Sequence, residues 1–491
     1  MKFEDICETH SPPCDLTQVP RVSDSWRIRN DGRNIVAYKC SVLGHKFKVL
    51  SPFEAACIPL FDGTLAFAEI TEKCIELFDP PERVQEEFII RLHKIFEGLL
   101  SIEGFITLEG GISPSLRKKT DLIPDFIDYR FPAPRLERPL SVMIAFTNRC
   151  SCNCRYCYAQ KKVCEEADIA QWREVFDECA ANEIYLVDIA GGDIFTREDC
   201  LDILHEMVSR DFTFFVSTKS YLSDGDAEQL AEMGIGIKEK IAPTLYRKVQ
   251  VSVDSADDSI ASYLVRKPGY LDIATQTTEN LISAGIYPRI KSVLTSYNAT
   301  APADIVHHFT ELGVKEFDFV LYSRSYYCHD DSLFLSMEQK IELHRMAEAL
   351  TKVFPSLHMT FQDETTSGKP LNMTCEQWEE RAVCSGGRSN MIIQPNGDVT
   401  LCDQIPHEAP FIVGNVFSQS IIGVWKSRKL EEFLYPDRKK FSGSVCYDCP
   451  EFDRCMQFRG YCYRDSLFYY GSIYDAPPEC PWQEKKAPRK T

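Results

Sequence analysis

The spacing of apolar residues over residues 1–110 predicts a small module of strands and helices. Ile35–Lys39 and Phe47–Leu50 are short β-rich runs on either side of a glycine turn, as in a hairpin. Ser51-Pro52-Phe53-Glu54 combines a capping serine with a glutamate three positions later, so a helix begins there, and Pro59 keeps it short. Helical spacing then predicts two more helices, and a last apolar run predicts a closing strand. These segments are Phe67–Leu77, Val84–Leu99 and Phe105–Leu108. Together the elements predict a winged helix-turn-helix.

From Leu140 onward, short apolar runs alternate with helical segments. Each connection is long enough for a crossover helix, so the sheet is expected to be mostly parallel. Six such units predict a partial barrel, whose site lies at the carboxyl ends of the strands. The predicted strands are Leu140–Phe146, Ile184–Ala190, Phe212–Ser217, Val249–Asp254, Arg289–Leu294 and Phe317–Tyr322.

The regular alternation of predicted strands and helices is lost before and after this barrel. Residues 111–139 are rich in proline and charge and predict a linker. After about residue 370 cysteine becomes frequent, and metal sites rather than an apolar core are expected to hold that region together. It contains one predicted hairpin, Met391–Gln394 and Asp398–Leu401 around the turn at residues 395–397. The expected order is a module at 1–110, a linker at 111–139, a barrel at 140–335, a helical connection at 336–370 and a cysteine-rich domain at 371–491.

Net charge, apolar stretches and cysteine content limit the classes of function that the chain can have. The net charge of -18 argues against a general nucleic-acid binder, which needs clustered cations. No apolar stretch is long enough to span a bilayer, and the first fifteen residues lack the apolar core of a signal peptide, so a cytoplasmic protein with reduced thiols is expected. The 21 cysteines cluster at 150–164 and 375–480, which favours metal ligation over disulfides.

The first cysteine cluster follows the first predicted barrel strand. Cys150, Cys154 and Cys157 form C-x3-C-x2-C, with Tyr156 before the last cysteine. Three thiolates on one loop can hold three irons of a [4Fe–4S] cluster and leave the fourth iron open for a ligand. The alternative is a zinc loop that uses Cys152 together with Cys154 and Cys157.

This motif, in this place, resembles the signature of the radical S-adenosylmethionine (SAM) superfamily. The resemblance implies a [4Fe–4S] cluster on Cys150, Cys154 and Cys157, with SAM bound at the open iron. It implies that Asp193, in place of a glutamate, binds the SAM amino group, and that Arg266 pairs with the SAM carboxylate. The positions that resemble the SAM-binding residues of the superfamily are Tyr156, Gly191, Gly192, Asp193, Ser217, Lys219, Ser252, Asp254 and Arg266.

The second cysteine cluster resembles the SPASM extension of radical SAM enzymes. Cys384, Gly397 and Cys402 fit C-x12-G-x4-C, and C-x2-C-x5-C follows from Cys446. The resemblance implies two auxiliary [4Fe–4S] clusters, although three residues are inserted before Cys462. The implied ligands are Cys375, Cys384, Cys402 and Cys462 for the nearer cluster, and Cys446, Cys449, Cys455 and Cys480 for the distal one. Structural zinc is the alternative. Without Cys375, the nearer cluster would have an iron open to a substrate thiolate.

The N-terminal module resembles the PqqD-type recognition element of enzymes that modify ribosomally made peptides (RiPPs). The resemblance lies in residues 47–56 and in Phe61-Asp62-Gly63. It implies that a precursor's leader peptide adds as a strand to the edge of the hairpin. DNA binding is the competing interpretation, but the candidate recognition helix at 67–76 carries three glutamates and one lysine, which phosphates would repel.

The whole order resembles the RiPP peptide maturases of the sactipeptide or ranthipeptide type. The resemblance implies an α/β fold: a partial (β/α)6 TIM-like radical SAM barrel with an N-terminal winged helix-turn-helix and a C-terminal cysteine-rich SPASM domain. It implies an oxidoreductase that forms a thioether in a precursor peptide after hydrogen abstraction by a 5′-deoxyadenosyl radical, with an electron donor such as flavodoxin or ferredoxin. Alternatives are a carbon–carbon crosslink, oxidation of Ser or Cys as in sulfatase maturases, and an iron–sulfur redox sensor that binds DNA.

Overall fold

The computed structural model describes most of the chain and divides it between Glu137 and Arg138 into two compact units. The described ranges are residues 15–32, 34–41, 44–108, 135–159, 165–237, 246–323, 326–361, 373–381 and 383–483. Most of the predicted linker at 111–139 lies outside these ranges. None of the helices within them combines the length and the apolar composition that crossing a membrane would require.

The first unit contains a three-stranded antiparallel sheet in the order β2–β3–β4, with three helices and a short strand pair. Its strands are β1 (Arg21–Val22), β2 (Arg27–Asn30), β3 (Ile35–Ser41), β4 (Gly44–Leu50) and β5 (Ile106–Thr107). Its helices are α1 (Pro52–Cys57), α2 (Phe67–Phe78) and α3 (Gln85–Leu100). The elements follow the predicted order of hairpin, three helices and closing strand.

Local sequence explains the start and the end of helix α1. The Ser51 side chain accepts from the Glu54 N–H at 3.2 Å, and the Glu54 carboxylate accepts from the Ser51 N–H at 2.7 Å, which forms the predicted capping box. Pro59 lies in a 3-10 turn over Ile58–Leu60 that follows the helix, because proline cannot continue the α-helical hydrogen bonding. The core beneath these helices is aromatic, with the rings of Phe61 and Phe96 5.5 Å apart.

The second unit is a long row of strands with helices on it. Its strands are β6 (Ser141–Ala145), β7 (Leu186–Ala190), β8 (Phe214–Thr218), β9 (Arg247–Ser252), β10 (Arg289–Leu294), β11 (Glu316–Leu321), β12 (His358–Phe361), β13 (Asn390–Ile393), β14 (Asp398–Thr400) and β15 (Gly414–Asn415). Its helices are α4 (Ile169–Ala181), α5 (Cys200–Ser209), α6 (Asp224–Glu232), α7 (Asp258–Val265), α8 (Tyr270–Ser283), α9 (Ala301–Glu311), α10 (Met337–Val353), α11 (Cys375–Glu380), α12 (Val416–Gln419), α13 (Ile421–Trp425), α14 (Arg428–Leu434), α15 (Phe452–Arg454) and α16 (Tyr463–Tyr470).

The six predicted barrel strands are all present as β6 to β11, and each neighbouring pair is parallel. The two five-stranded sheets meet at a parallel bridge between Leu186 and Thr213, where β7 approaches β8. A further parallel strand, β12, pairs with β11 inside the segment that was predicted to be a helical connection. This partial barrel gathers the carboxyl ends of its strands at one rim.

The cysteine-rich region shares this sheet. Strand β13 runs parallel to β6, with Ile392 opposite Met143, and the predicted hairpin continues it through β14 and β15. Trp425 and Leu430 are buried in the same hydrophobic core as the barrel strands. The expectation that metal sites rather than a core hold this region together is therefore wrong, because its apolar residues pack onto the barrel.

Candidate active site

A cavity of about 840 Å³ opens at the carboxyl ends of β6 to β11. Cys150, Cys154 and Cys157 line it. Of the positions predicted to contact SAM, all except Arg266 line this cavity: Tyr156, Gly191, Gly192, Asp193, Ser217, Lys219, Ser252 and Asp254. The structure thus places the cysteine loop and the predicted positions at the ends of β7, β8 and β9 around one cavity, and their contacts with SAM stay a prediction.

An ion-pair network anchors the first limb of the cysteine loop, residues 147–149. Glu166 accepts from the Thr147 hydroxyl at 2.5 Å and from the Arg149 guanidinium at 3.1 and 2.8 Å. Arg197 lies behind it, donating to the Phe146 carbonyl at 3.0 Å. Burial on its own would raise the pKa of Glu166, but the hydrogen bonds from Arg149 and Thr147 hold it below its usual value. The loop therefore leaves β6 in a fixed direction.

The second limb of the loop is held by the end of helix α7. The Asn153 N–H donates to the Val265 carbonyl at 3.1 Å, and the Arg155 N–H donates to the Leu264 carbonyl at 2.8 Å. The Arg155 guanidinium also lies 3.9 Å from the ring centre of Tyr263. These contacts satisfy the last carbonyls of the helix and fix the backbone between the cysteines.

Two consecutive glycines let the loop pass over the end of β7. A Cβ on Gly192 would lie 1.9 Å from the Arg149 carbonyl oxygen, and a Cβ on Gly191 would lie 2.6 Å from the Thr147 carbonyl oxygen. The Gly192 N–H donates to that Thr147 oxygen at 2.7 Å. The glycine pair is thus required by close backbone approach, in addition to any contact with SAM.

The Asp193 carboxylate is already satisfied by protein donors. One oxygen accepts from the Thr218 hydroxyl at 2.9 Å, from the N–H groups of Lys219 and Ser220 at 2.8 and 3.0 Å, and from the Ser220 hydroxyl at 2.9 Å. The other oxygen accepts from the Phe195 N–H at 3.2 Å. This carboxylate therefore shapes the end of β8, and its contact with the SAM amino group stays a prediction.

Lys219 and Asp254 form a buried ion pair on the cavity wall. The ammonium is 3.3 Å from the Asp254 carboxylate and 3.2 Å from the Ser252 carbonyl oxygen, and the Tyr156 hydroxyl donates to the same Asp254 oxygen. Burial on its own would lower the pKa of Lys219, but the negative charge of Asp254 raises it above its usual value. Lys219 thus keeps its positive charge inside the site.

Arg266 stands apart from the cavity. It ends helix α7 in the left-handed conformation, with φ of 55°, and its side chain is exposed. Its pairing with the SAM carboxylate stays a prediction.

Two further polar residues of the cavity were not predicted from the sequence. They are Gln250, which donates to the Ser217 hydroxyl at 2.7 Å, and Lys291, which is 3.2 Å from Asp318. Both line the cavity, and inward-facing positions on parallel strands could have indicated them.

The thiols of the loop differ in burial. Cys150 is exposed and Cys154 is buried. Burial raises the pKa of the Cys154 thiol to about 12, while the Lys219 ammonium acts in the opposite direction. Such a thiol becomes a thiolate when a metal replaces its proton. Cys152, a ligand in the zinc alternative, also lines the cavity.

The C-terminal cysteines form two groups. Cys402 lies within electrostatic reach of Cys384 and Cys462, and burial raises its pKa well above the usual value. The other four cysteines line a second, smaller cavity together with Trp378: Cys446, Cys449, Cys455 and Cys480. Within the described ranges, no three His, Cys, Asp or Glu side chains converge closely enough to hold one metal ion.

Cys375 is placed differently from its predicted partners. It is exposed, in the first turn of helix α11. Trp378 of the same helix packs against Cys480, which belongs to the other group. Tyr158 lines both the large cavity and a small neighbouring cavity. Asp403, which directly follows Cys402 in the chain, also lines the small cavity. The group of Cys384, Cys402 and Cys462 is thus the one beside the barrel site.

The thiol groups and their surroundings fit iron–sulfur clusters, since thiolates are the usual ligands of such clusters and the large cavity leaves room for a second molecule. Residues 144–309 match the model of the radical SAM superfamily, and residues 384–450 match the model of the iron–sulfur cluster-binding SPASM domain. The chain carries a radical SAM domain and a SPASM domain. The radical SAM domain binds a [4Fe–4S] cluster and SAM, and the SPASM domain binds auxiliary iron–sulfur clusters.

Similar proteins cover most of the chain. The mycofactocin maturase of Mycolicibacterium smegmatis is 26% identical over 371 residues, which are 71% of this chain and 86% of that protein. The antilisterial bacteriocin subtilosin biosynthesis protein of Bacillus subtilis is 24% identical over 327 residues, 66% of each chain. The crystal structure of Streptococcus suis SuiB bound to precursor peptide SuiA superposes with a TM-score of 0.62 at 16% identity, over 93% of this chain and 98% of that one. The last likeness shows the shared fold.

Proposed function

We propose that this chain is a radical SAM enzyme that modifies a ribosomally made precursor peptide, forming a thioether between a cysteine sulfur and a carbon. The observation that carries the proposal is the placement of Cys150, Cys154 and Cys157 around an 840 Å³ cavity at the rim of the barrel. The choice of substrate is supported by the relatives named as a maturase and as a bacteriocin biosynthesis protein, and by the similar structure that is bound to a precursor peptide. The sheet that the cysteine-rich region shares with the barrel supports a joint function for both sets of thiols.

A bound cluster and SAM supply a 5′-deoxyadenosyl radical after one-electron reduction of the sulfonium. The peptide carbon then loses a hydrogen atom to that radical, and the substrate thiol loses its proton. Closure of the C–S bond leaves one surplus electron, so the peptide loses two hydrogens per link. We propose that the two groups of C-terminal cysteines would hold the auxiliary clusters, which would accept this electron. A flavodoxin or ferredoxin would supply the electron that reduces SAM.

The protein's own residues position the reaction. Glu166, Arg149 and Arg197 fix the loop that presents the thiols, and α7 fixes its other limb. Lys219 and Asp254 fix the part of the cavity wall that Tyr156 of the loop contacts. These contacts hold the loop and the cavity wall in place around the thiols.

We further propose that the first unit binds the leader of the precursor. Strand β4 is at the edge of its sheet, so its outer backbone groups can pair with an added strand. Phe47, at the middle of β4, is 47% exposed and offers an apolar contact for the leader. Lys46 and Lys48 flank it and are paired with Glu103 and Glu54.

The test of the catalytic proposal is the triple variant C150A/C154A/C157A. It is expected to lose SAM-dependent 5′-deoxyadenosine formation completely, because no thiolates remain to hold the cluster. Cys152→Ser is the matched control, since Cys152 lines the same cavity on the same loop. We expect C152S to keep SAM cleavage. Cleavage in the triple variant, or zinc in place of iron in anaerobically reconstituted protein, would refute the proposal.

The test of the product is mass spectrometry of a co-expressed precursor peptide. A loss of two hydrogens per link, with fragmentation that places the bond on a cysteine sulfur, is expected. A bond between two carbons, or an oxidised Ser or Cys without a link, would replace the thioether by one of the other radical reactions.

The test of leader binding is Phe47→Asp, with Leu77→Asp as the control. Leu77 is 59% exposed on α2, so its replacement introduces the same charge elsewhere on the unit. F47D is expected to weaken leader binding at least tenfold in a fluorescence anisotropy titration, and L77D to leave it unchanged. Equal affinity in all three proteins would exclude the β4 edge as the docking site.

A further inference from the structure

The wall of the large cavity contains a cation whose surroundings point to the cluster. The Lys219 side chain is 12% exposed and follows the carboxyl end of β8. It lines the same cavity as Cys152 and Cys154, and its ammonium lies near the ring of Tyr156, which stands between Cys154 and Cys157 in the chain. Sequence analysis placed Lys219 only among the positions that resemble SAM contacts.

We propose that Lys219 is a positioning residue that favours the reduced state of the SAM-binding cluster, by holding an ammonium beside Cys154. This inference rests on the proposed cluster site at Cys150, Cys154 and Cys157. Reduction adds a negative charge to a cluster, so a fixed positive charge nearby stabilises the reduced form. The effect is large in a buried site, where water screens charges poorly.

The ammonium is held too firmly to turn away from the thiols. It donates to the Ser252 carbonyl at 3.2 Å and to the Asp254 carboxylate at 3.3 Å. The ring centres of Tyr156 and Tyr270 lie 5.8 and 5.3 Å from it, which adds attraction from their π faces. The position of the charge is therefore set before any cofactor binds.

The same network is tied to the cysteine loop. Tyr156 precedes Cys157 and donates its hydroxyl hydrogen to Asp254, the ion-pair partner of Lys219. The second Asp254 oxygen accepts from the Val293 N–H at 3.0 Å. Asp254 is 1% exposed and accepts hydrogen bonds on both oxygens, so its carboxylate is held at a fixed position beside the Lys219 ammonium. Removing either member of this pair therefore leaves the other without its buried partner.

The experiment is a redox titration of the full-length, anaerobically reconstituted protein, followed by the electron paramagnetic resonance signal that changes when SAM is added. Lys219→Met removes the cation and leaves the Asp254 charge. At a fixed potential its ratio of reduced to oxidised cluster is expected to fall about tenfold, equivalent to a midpoint about 59 mV more negative for one electron. Asp254→Asn removes the opposite charge and is expected to shift the midpoint in the positive direction.

Two variants control for general damage to the cavity. Lys291→Met removes another lysine that lines the same cavity, two strands along the sheet, and is expected to keep the midpoint of the unmodified protein. Lys219→Arg keeps the charge and is expected to keep it as well. If K219M holds too little iron to titrate, the K219M/D254N double variant, which leaves no unpaired buried charge, is expected to lie closer to the unmodified midpoint than D254N alone.

An unchanged midpoint in K219M, or equal shifts in K219M and K291M, would overturn the inference. So would a loss of SAM affinity in K219M without a shift in the SAM-free midpoint, because Lys219 would then be a SAM contact. These outcomes leave the proposed function standing. The absence of any reducible [4Fe–4S] cluster in the unmodified protein would instead remove the proposed function itself.

Discussion

The cysteine loop can cross the end of β7 only because two neighbouring residues there have no side chain. Gly192→Ala would place a methyl group 1.9 Å from the Arg149 carbonyl oxygen, and a backbone atom cannot rotate aside as a side chain can. The loop must then move, and with it Cys150, which directly follows Arg149. We expect at least a tenfold loss of 5′-deoxyadenosine formation with lower iron content.

The matched control for this change is Gly443→Ala in the same unit, where an added Cβ meets nothing within 4 Å. It is expected to keep iron and activity. Unchanged SAM cleavage in G192A would mean that the loop tolerates displacement, and that its contacts with α7 alone position the thiols.

Cys375 offers a second prediction at the scale of single residues. Because it is exposed, on a helix packed against the group of Cys480, we expect Cys375→Ala to keep the iron content of the unmodified protein. Cys384→Ala is expected to lose the iron of the nearer group. Iron analysis with Mössbauer spectra of both variants checks this. An equal loss in C375A would establish Cys375 as the fourth ligand.

Single residues differ in how far the sequence could predict them. Cysteine spacing predicted which thiols share a loop, since a short loop brings its own residues together. The placement of Arg266 depends on the left-handed end of α7, and the hydrogen bonds of Asp193 depend on the turn after β8. Such tertiary details leave no periodic pattern in the chain. The sequence could therefore predict which residues are candidates for SAM contact, but not where their side chains lie or what they bond.

Among the elements, helix α13 depends on a carboxylate from another part of the fold. The Glu178 carboxylate accepts from the N–H groups of Ile421 and Ile422 at 2.7 and 3.0 Å, and so caps this short helix. Hydrogen bonds to charged groups contribute about 1.5–3 kcal/mol each. Glu178→Ala is therefore expected to increase amide hydrogen exchange over residues 416–425 at least tenfold, as measured by mass spectrometry.

Glu174→Ala provides the comparison, because Glu174 is exposed on the same helix α4, about one turn before Glu178, and its loss leaves the cap in place. Exchange in this control is expected to match the unmodified protein. Equal exchange in E178A and E174A would show that packing alone, including the Trp172–Phe417 contact at 5.3 Å, orders this region.

Element prediction succeeded where the periodic signal was local. The six barrel strands and the hairpin turn at residues 395–397 are confirmed, because alternating apolar runs and turn residues mark them directly. The pairing of β13 with β6 joins residues about 250 positions apart, and only the finished sheet specifies it. Strand β12 was missed because it is short and half-exposed.

At the scale of the whole molecule, mutation can separate the role of the distal cysteines from that of the SAM-binding loop. The distal thiols line their own small cavity, walled by Trp378, Phe452 and Tyr461, and share no lining residue with the large cavity. The large cavity is lined by residues at the carboxyl ends of β6 to β11. Loss of the distal thiols should therefore leave the SAM-binding loop intact.

The variant C446A/C449A/C455A/C480A is accordingly expected to keep SAM cleavage while losing modified peptide, because the surplus electron of bond closure no longer has its exit. Liquid chromatography of 5′-deoxyadenosine and mass spectrometry of the peptide measure the two outcomes in one reaction, and iron content verifies the loss of one cluster. Loss of both activities would mean that the distal site supports the barrel, since it shares the sheet through β13. Full modification would assign the electron's exit to the nearer group of Cys384, Cys402 and Cys462, which lies beside the large cavity through Tyr158. The group of cysteines whose removal stops peptide modification but not SAM cleavage is thus the group that accepts the electron.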